Sequence, residues 1–145
     1  MLPTKVVLSE KFNEYNSLYF NGDLGKMTKR NFFYIQKNSH CCGRFMLKPG
    51  KNGKDVCQIW IGKCIEWNEE RLREVLVHEM IHMYNTTVEH SKHDGLFGHG
   101  RKFRRQCRRL KRDFGLTIYV HCPYDYITMP PPSKFEKALL WLIDR

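Results

Sequence analysis

The most informative stretch of the sequence is EERLREVLVHEMIHMY, residues 69–84. On a helix their apolar side chains point in nearly every direction, and a helix that is hydrophobic all round is a buried one. Asn68 precedes the stretch as a helix N-cap, and Glu69 and Glu70 favour the positive end of the helix dipole. The sequence therefore predicts a long, central helix that begins after Asn68.

The same helix carries the motif HExxH. His78 and His82 are four residues apart, which is one helical turn, so their imidazoles lie on one face and can share a single ion. Glu79 sits beside that face, where it can reach a water molecule on the ion. Three polar side chains on a buried helix need strong partners to offset their desolvation, and a divalent cation supplies them. The motif therefore predicts a zinc site rather than a pair of hydrogen-bonded core histidines.

A catalytic zinc ion has three protein ligands and one open position, so a third ligand must come from another part of the chain. The polar loop after the helix offers three more histidines, His90, His93 and His99. We favour His99, because Gly100 lets the backbone pass close to the site and Phe103 anchors the following helix in the core. His90 and His93 are typical of surface loops, although His93 precedes Asp94-Gly95 and stays a candidate.

Short elements precede the central helix. The spacing of apolar residues predicts an amphipathic helix over residues 9–21, which ends at Asn21-Gly22. Its apolar side consists of Phe12, Tyr15, Leu18 and Tyr19. Residues 31–36 predict a strand. The segment between residues 43–48 and 55–62 is dense in turn formers, so we expect these two strands to form a hairpin within a small antiparallel sheet.

The elements that follow complete an α+β domain. A basic helix, with Phe103, Cys107, Leu110 and Phe114 as its buried stripe, ends at Gly115, and residues 117–121 alternate as a strand does. Residues 130–132 form a stiff proline spacer before a last amphipathic helix, whose apolar face (Phe135, Leu139, Leu142, Ile143) is expected to be core or a lid on it. We predict one domain over residues 1–145, with a core at about 9–121 and a C-terminal spacer and helix at 122–145.

Composition excludes several classes of protein. The chain has 145 residues, of which 13% are aromatic and 28% charged, and this describes a single globular domain. No apolar run approaches the ~20 residues that span a bilayer, so we expect no membrane partner. The six cysteines contain no CxxC, and the N-terminus lacks a signal-peptide pattern, so we expect a reduced, cytoplasmic protein without a disulfide scaffold.

The net charge of +10 is concentrated in residues 101–112, which hold eight cations and no acid. These cations are Arg101, Lys102, Arg104, Arg105, Arg108, Arg109, Lys111 and Arg112. Like charges three and four residues apart on a helix repel one another, and nothing in the segment compensates that cost. We therefore expect the basic helix to bind a nucleic acid, DNA in particular, rather than to be only a solvated face.

The combination of motifs resembles the SprT-like zinc metallopeptidases. As in that family, HExxH is followed by a loop of modest length and then by HGxxF, at residues 99–103, which opens a basic helix. The stretch FNEYNSLYFNGDL, residues 12–24, is similar to the family's opening helix and turn, and Gly43 and Phe45 match its hairpin. The resemblance covers roughly residues 9–121.

The resemblance implies a zincin-like fold, with His78, His82 and His99 as ligands of one catalytic zinc ion and Glu79 as the catalytic residue. It also implies a DNA-associated endopeptidase that acts on DNA-bound or DNA-crosslinked proteins, nucleoid-associated in a prokaryote and nuclear in a eukaryote. Many relatives carry a C-terminal zinc ribbon of paired cysteines, whereas here only Cys122 stands in that region. An extended substrate is expected to add to the edge of the strand at residues 56–61. Tyr84 and loop residues are candidates for the group that stabilises the oxyanion.

Two alternatives stay open. The first is a nucleic-acid-binding module whose zinc is structural, closed by a fourth ligand from Cys41, Cys42, Cys107 or a remaining loop histidine. The second is a peptidase whose basic helix binds acidic proteins instead of nucleic acid. An open position on the metal would favour a peptidase over the structural site.

Overall fold

The computed structural model describes residues 2–25, 32–36, 41–51, 53–63, 65–91, 93–121 and 133–143. Its elements, in chain order, are α1 (Lys5–Tyr19), β1 (Phe32–Gln36), β2 (Gly43–Pro49), β3 (Asp55–Gly62), α2 (Glu69–Thr87), a 3₁₀ turn (Leu96–Gly98), α3 (Arg101–Phe114) and α4 (Lys134–Ile143). The predicted α+β class is confirmed.

Helix α1 begins earlier than the sequence pattern predicted. The side chain of Thr4 caps it by accepting a hydrogen bond from the Val7 N–H, so the helix starts at Lys5 and not at residue 9. Leu8 and Phe12 are fully buried, whereas Leu18 is 53% exposed, so its place in the predicted apolar side is wrong. The helix ends where Asn21 and Gly22 take left-handed backbone conformations.

The three strands form one sheet in the order β1-β3-β2. β2 and β3 pair antiparallel around the turn that Gly50 closes by donating to Lys54 O, so the predicted hairpin is confirmed. The expected antiparallel sheet is confirmed for this pair, but β1 pairs parallel to β3, so the described sheet as a whole is mixed. Because β3 is hydrogen-bonded on both sides, it offers no edge, and the predicted substrate edge at residues 56–61 is also wrong.

Helix α2 is the centre of the fold. Asn68 caps it by accepting from the Arg71 N–H at 2.8 Å, as predicted. The helix packs against β2 and β3 and also contacts α1 and α3. Its side chains at Leu76, Val77, Met80 and Ile81 are fully buried. Residues 78–82 thus lie on a helix whose core side is fully buried.

Helix α3 packs on α2, and its side chains at Phe103 and Leu110 are fully buried. Gly115 ends it in a left-handed conformation, as predicted. Phe114 is 48% exposed, which contradicts its place in the predicted stripe, because it lies in the last turn and packs edge-on against the Tyr19 ring. Gln106 is buried in its stead.

The predicted strand at residues 117–121 is wrong, since the structure gives this segment no strand pairing. Leu116 and Ile118 are buried, and the Tyr119 carbonyl binds the side chain of His78 rather than a neighbouring strand. The segment is thereby tied to α2 alongside the HExxH motif.

Helix α4 is not part of the core. Its described apolar side chains are exposed, from 43% at Leu139 to 72% at Phe135, which contradicts the expected core or lid position. The predicted proline spacer, Cys122 and the side chain of Ile143 lie outside the described residues.

The cysteines depart from expectation at one place. Cys42 is disulfide-bonded, so the expectation of a fully reduced protein is wrong, whereas Cys41, Cys57 and Cys107 are thiols. Among the helices of the described segments, none has the length and apolar character needed to cross a bilayer.

Candidate metal centre

Three imidazoles meet at one point of the structure. The Nε2 atom of His82 lies 3.2 Å from those of both His78 and His99. The Nε2 atoms of His78 and His99 are 3.1 Å apart. α2 supplies two of the rings from successive turns, and the loop before α3 supplies the third. The structure thus brings together the three histidines that the sequence singled out.

The spacing of these three nitrogens suits a metal cation. The Nδ1–H of His78 must donate to the Tyr119 carbonyl at 2.8 Å, because a carbonyl only accepts, so Nε2 of the neutral ring carries a lone pair. A tetrahedral zinc ion with Zn–N distances of about 2.0–2.1 Å holds neighbouring nitrogens about 3.3 Å apart. The triangle fits that spacing, and the three residues could hold a metal ion.

Burial keeps the rings in the form that binds metals. It lowers the pKa of His78 to about 4 and that of His82 to about 3, and it also lowers the pKa of His99. Repulsion from the other imidazoles adds to the lowered pKa of His78 and His82, whereas at His99 the added repulsion comes from His121 and Arg104. All three are therefore neutral at pH 7, and a neutral imidazole is the metal ligand.

Glu79 is buried beside the triangle, with 4% of its surface exposed. Its Oε1 lies 4.0 Å from Nε2 of His78, close to the position of an ion without belonging to the ligand set. Burial raises the pKa of Glu79 to about 8, against the opposing effects of a hydrogen bond from the Phe45 backbone N–H and of the Arg44 charge. A divalent cation nearby would favour the ionised carboxylate.

Strand β2 reaches Glu79 because residue 43 is glycine. A Cβ at Gly43 would stand 2.8 Å from Cγ1 of Val75 and 3.0 Å from Oε1 of Glu79. A side chain at this position would push the strand away from the helix. Gly43 and the Phe45 N–H together hold β2 against the carboxylate.

Phe103 forms the base of the site. Its ring centroid lies 4.7–4.8 Å from the centroids of all three imidazoles, and the residue is fully buried. The prediction that Phe103 anchors the helix after His99 in the core is confirmed.

Asp94 closes the loop that carries His99. Its carboxylate accepts hydrogen bonds from the backbone N–H groups of Lys102, at 2.9 Å, and Phe103, at 2.6 Å. Its carbonyl accepts from the Gly100 N–H at 2.7 Å. Gly100, the residue before α3, has no side chain that could cap the helix, so Asp94 provides the cap from six residues upstream. Sequence reasoning missed this role, and the only signal was an uncapped basic helix preceded by Asp-Gly.

The same loop holds a second feature that the sequence did not reveal. Phe97 takes a left-handed conformation with φ 56° while its side chain is 47% exposed, and Gly98 follows with φ 73°. A Cβ at Gly98 would lie 3.2 Å from the ring of His82, so the loop passes directly over that imidazole.

The other candidate ligands do not join the triangle. His90 and His93 are exposed, Cys41 donates to the Gly43 carbonyl, and Cys107 is half-buried with its pKa raised to about 11 by burial. Within the described residues, the group of possible metal ligands consists of His78, His82 and His99. The fourth protein ligand that a closed structural site needs is therefore absent from that group.

The cations of α3 divide into two sets. Six of them are exposed: Arg101, Arg104, Arg105, Arg108, Lys111 and Arg112. Lys102 is half-buried, and so is Arg109, which donates to the Tyr19 carbonyl at 2.7 Å and to Oε1 of Gln106 at 2.8 Å. Its guanidinium also lies over the Phe20 ring, 5.6 Å from the centroid. Arg109 thus joins α3 to the end of α1.

Comparison with known proteins agrees with the geometry. No curated protein gives a significant match to this chain. A sequence model of the SprT-like family matches residues 8–121, which include most of α1, the sheet, the histidine triangle and all of α3. The chain belongs to the SprT-like family.

Proposed function

We propose that the protein is a zinc-dependent endopeptidase of zincin type that associates with DNA and cleaves DNA-bound or DNA-crosslinked proteins. The observation that carries the proposal is the pairing of a three-imidazole triangle, which leaves a tetrahedral ion one open position, with a buried carboxylate 4.0 Å from Nε2 of His78. Family membership supports the same reading. His78, His82 and His99 would hold the ion. When bound, zinc supplies Lewis acidity, which polarises a carbonyl and lowers the pKa of a water molecule toward about 7.

Glu79 is the general base and then the general acid. Its carboxylate takes one proton from the attacking water as the new carbon–oxygen bond forms, and it delivers that proton to the amine nitrogen as the peptide bond breaks. The Phe45 N–H bonded to the carboxylate and the close contact with Gly43 hold it in one orientation. Burial among these groups keeps bulk water away from the proton transfer.

Strand β2 is the edge along which an extended substrate would bind. It is the outer strand of the described sheet on the side of α2, and its residues Gly43 and Phe45 contact Glu79. A peptide that adds to this edge would place its backbone beside the carboxylate. Binding of this kind depends on main-chain hydrogen bonds and so predicts weak sequence preference.

DNA would then supply the selectivity. The exposed cations of α3 begin two residues after His99, and the Arg104 side chain donates to the His99 carbonyl at 3.3 Å. DNA bound to this helix would lie next to the metal centre, which would place proteins attached to that DNA within reach of the site.

The experiment combines metal analysis with proteolysis in the presence and absence of DNA. We expect one zinc ion per chain in both the wild type and Glu79→Gln, and DNA-stimulated cleavage in the wild type alone. Loss of one general base lowers the rate by about 10²–10⁴-fold. Glu74→Gln, an acidic residue on the same helix, is the matched control and should keep wild-type activity. Cleavage that survives in Glu79→Gln, or a metal with four protein ligands, would contradict the proposal.

A further inference from the structure

His121 stands beside the metal centre without belonging to the ligand triangle. Its ring centroid is 6.0 Å from that of His99, whereas the three ligand rings lie 4.9–5.1 Å from one another. It is exposed, so it does not serve the core. Like-charge repulsion from His121 contributes to the lowered pKa of both His78 and His99, so its ring is on the side that those two share.

The segment that carries His121 is fixed by its neighbours. Leu116 and Ile118 are buried and hold the segment on the core. The Tyr119 carbonyl binds Nδ1 of His78 at 2.8 Å, two residues before His121. The backbone is thereby anchored two residues before His121.

The position suits a donor that acts on the substrate. A peptide carbonyl that approaches the triangle on the side of His99 would meet an imidazole N–H that no function described above uses. When the peptide carbonyl is attacked, its π electron pair moves to oxygen, and a hydrogen-bond donor at that oxygen stabilises the developing charge.

We propose that His121 is a catalytic residue that donates a hydrogen bond to the substrate's carbonyl oxygen as negative charge develops there. This inference rests on the proposed peptidase function. The His121 proton stays on its nitrogen throughout, while the water's proton passes through Glu79 to the leaving amine. The proposal assigns to this side chain the oxyanion role for which sequence reasoning considered Tyr84 and loop residues.

The test compares three substitutions at this position. His121→Phe keeps a ring and removes the donor, whereas His121→Asn and His121→Gln keep an N–H near Nδ1 or Nε2. His93→Phe, at another exposed histidine, is the matched control. For each variant we would measure kcat and KM, the zinc affinity by chelator competition, and the binding of a peptide phosphonate, whose tetrahedral P–O group imitates the attacked carbonyl.

Removal of one oxyanion donor lowers kcat by about 10²–10³-fold, so His121→Phe should lose that much with KM and zinc affinity nearly unchanged. It should also bind the phosphonate more weakly, and Asn or Gln should restore part of both losses. Unchanged kcat and phosphonate binding would overturn the proposal. A parallel fall in zinc affinity would overturn it too, because His121 would then be a ligand. If the wild type shows no Glu79-dependent cleavage, the peptidase function fails and this inference fails with it.

Discussion

The carboxylate of Asp94 accepts a hydrogen bond from the backbone N–H of Phe103 at 2.6 Å. This contact spans the whole turn that presents His99, because Asp94 precedes that histidine and Phe103 follows it. The start of the turn is therefore hydrogen-bonded to the first turn of α3. The Phe103 ring, in that same first turn, lies beneath all three imidazoles. The third ligand is held by a helix cap.

Asp94→Ala should therefore weaken both the fold and the metal site. Loss of a helix cap lowers the free energy of unfolding by about 1–2 kcal/mol. Loss of a group that orients a metal ligand lowers metal affinity by about 10–100-fold. Thermal unfolding of the metal-free protein and chelator competition measure the two effects separately.

Asp94→Asn should retain part of the stability and part of the metal affinity, since an amide oxygen still caps a helix. Asp113→Ala, at an exposed aspartate near the other end of α3, should leave zinc affinity unchanged. Zinc affinity that is unaffected in Asp94→Ala would show that the loop keeps its shape without this cap.

The raised pKa of Glu79 predicts how the stability of the metal-free protein depends on pH. Its pKa is about 8 in the folded state against 4.5 for an ordinary glutamate, so the folded state binds the extra proton between these values. Its stabilising contribution is present below pH 4.5 and is lost as pH rises through 8. The lowered pKa values of His78 and His82 act in the opposite direction, but only below pH 6.5.

Between pH 6.5 and 8, the free energy of unfolding should therefore fall by about 2 kcal/mol, at 1.36 kcal/mol per pH unit. Urea titrations of the metal-free protein across this range measure the slope. Glu79→Gln has no proton to lose and should flatten it. An equal slope in the variant would assign the effect to another group.

The sequence was informative wherever the deciding interactions are local. The HExxH spacing fixes the relative placement of His78 and His82, because both lie on one helix. Helix α2 begins at its cap Asn68 and helix α3 ends at Gly115, each through contacts within one turn. The hairpin followed from the turn formers between its strands.

Non-local contacts decided the features that the sequence did not reveal. The pattern of residues 32–36 predicts a strand but contains nothing about its direction, which pairing with β3 determines. Asp94 caps a helix that begins seven residues later, and Tyr119 acts through a carbonyl, which leaves no trace in residue identity. Leu18 and Phe114 have the right spacing, but the neighbours that would bury them are not there in the described fold.

Gly43→Ala should destabilise the protein through a defined clash. Its Cβ would stand 2.8 Å from Cγ1 of Val75, and overpacking of this kind costs about 1–3 kcal/mol. Because the same Cβ would stand 3.0 Å from Oε1 of Glu79, the proposed peptidase activity should fall as well.

Val75→Ala removes the atom that is struck, so the double variant provides the control. The two substitutions should be less destabilising together than the sum of their separate effects, which a double-mutant cycle measures. Additive effects would mean that the strand moves away from α2 without meeting Val75.

The two kinds of arginine on α3 should respond differently to charge reversal. Arg101, Arg105 and Arg108 are exposed and repeat at helical spacing, so their replacement by Glu should weaken DNA binding and leave the fold intact. Each lost phosphate contact reduces the slope of log affinity against log salt by about 0.9 for duplex DNA. The steepness of this slope should therefore fall by roughly 2–3 in the triple variant. Lys48, Lys51 and Lys54, which are exposed in the β2–β3 hairpin, give a triple control with the same change of charge.

Arg109→Ala should mainly weaken the fold, because this half-buried arginine donates hydrogen bonds to the Tyr19 carbonyl and to Gln106. The lost charged hydrogen bond to the end of α1 should lower the free energy of unfolding by about 1–2 kcal/mol, with little change in the salt slope. Affinity and slope measured by fluorescence anisotropy over a salt series, beside unfolding curves for each variant, separate the two roles. If the exposed triple variant kept its slope, α3 would not be the DNA surface, and its charge would have to serve an acidic protein instead.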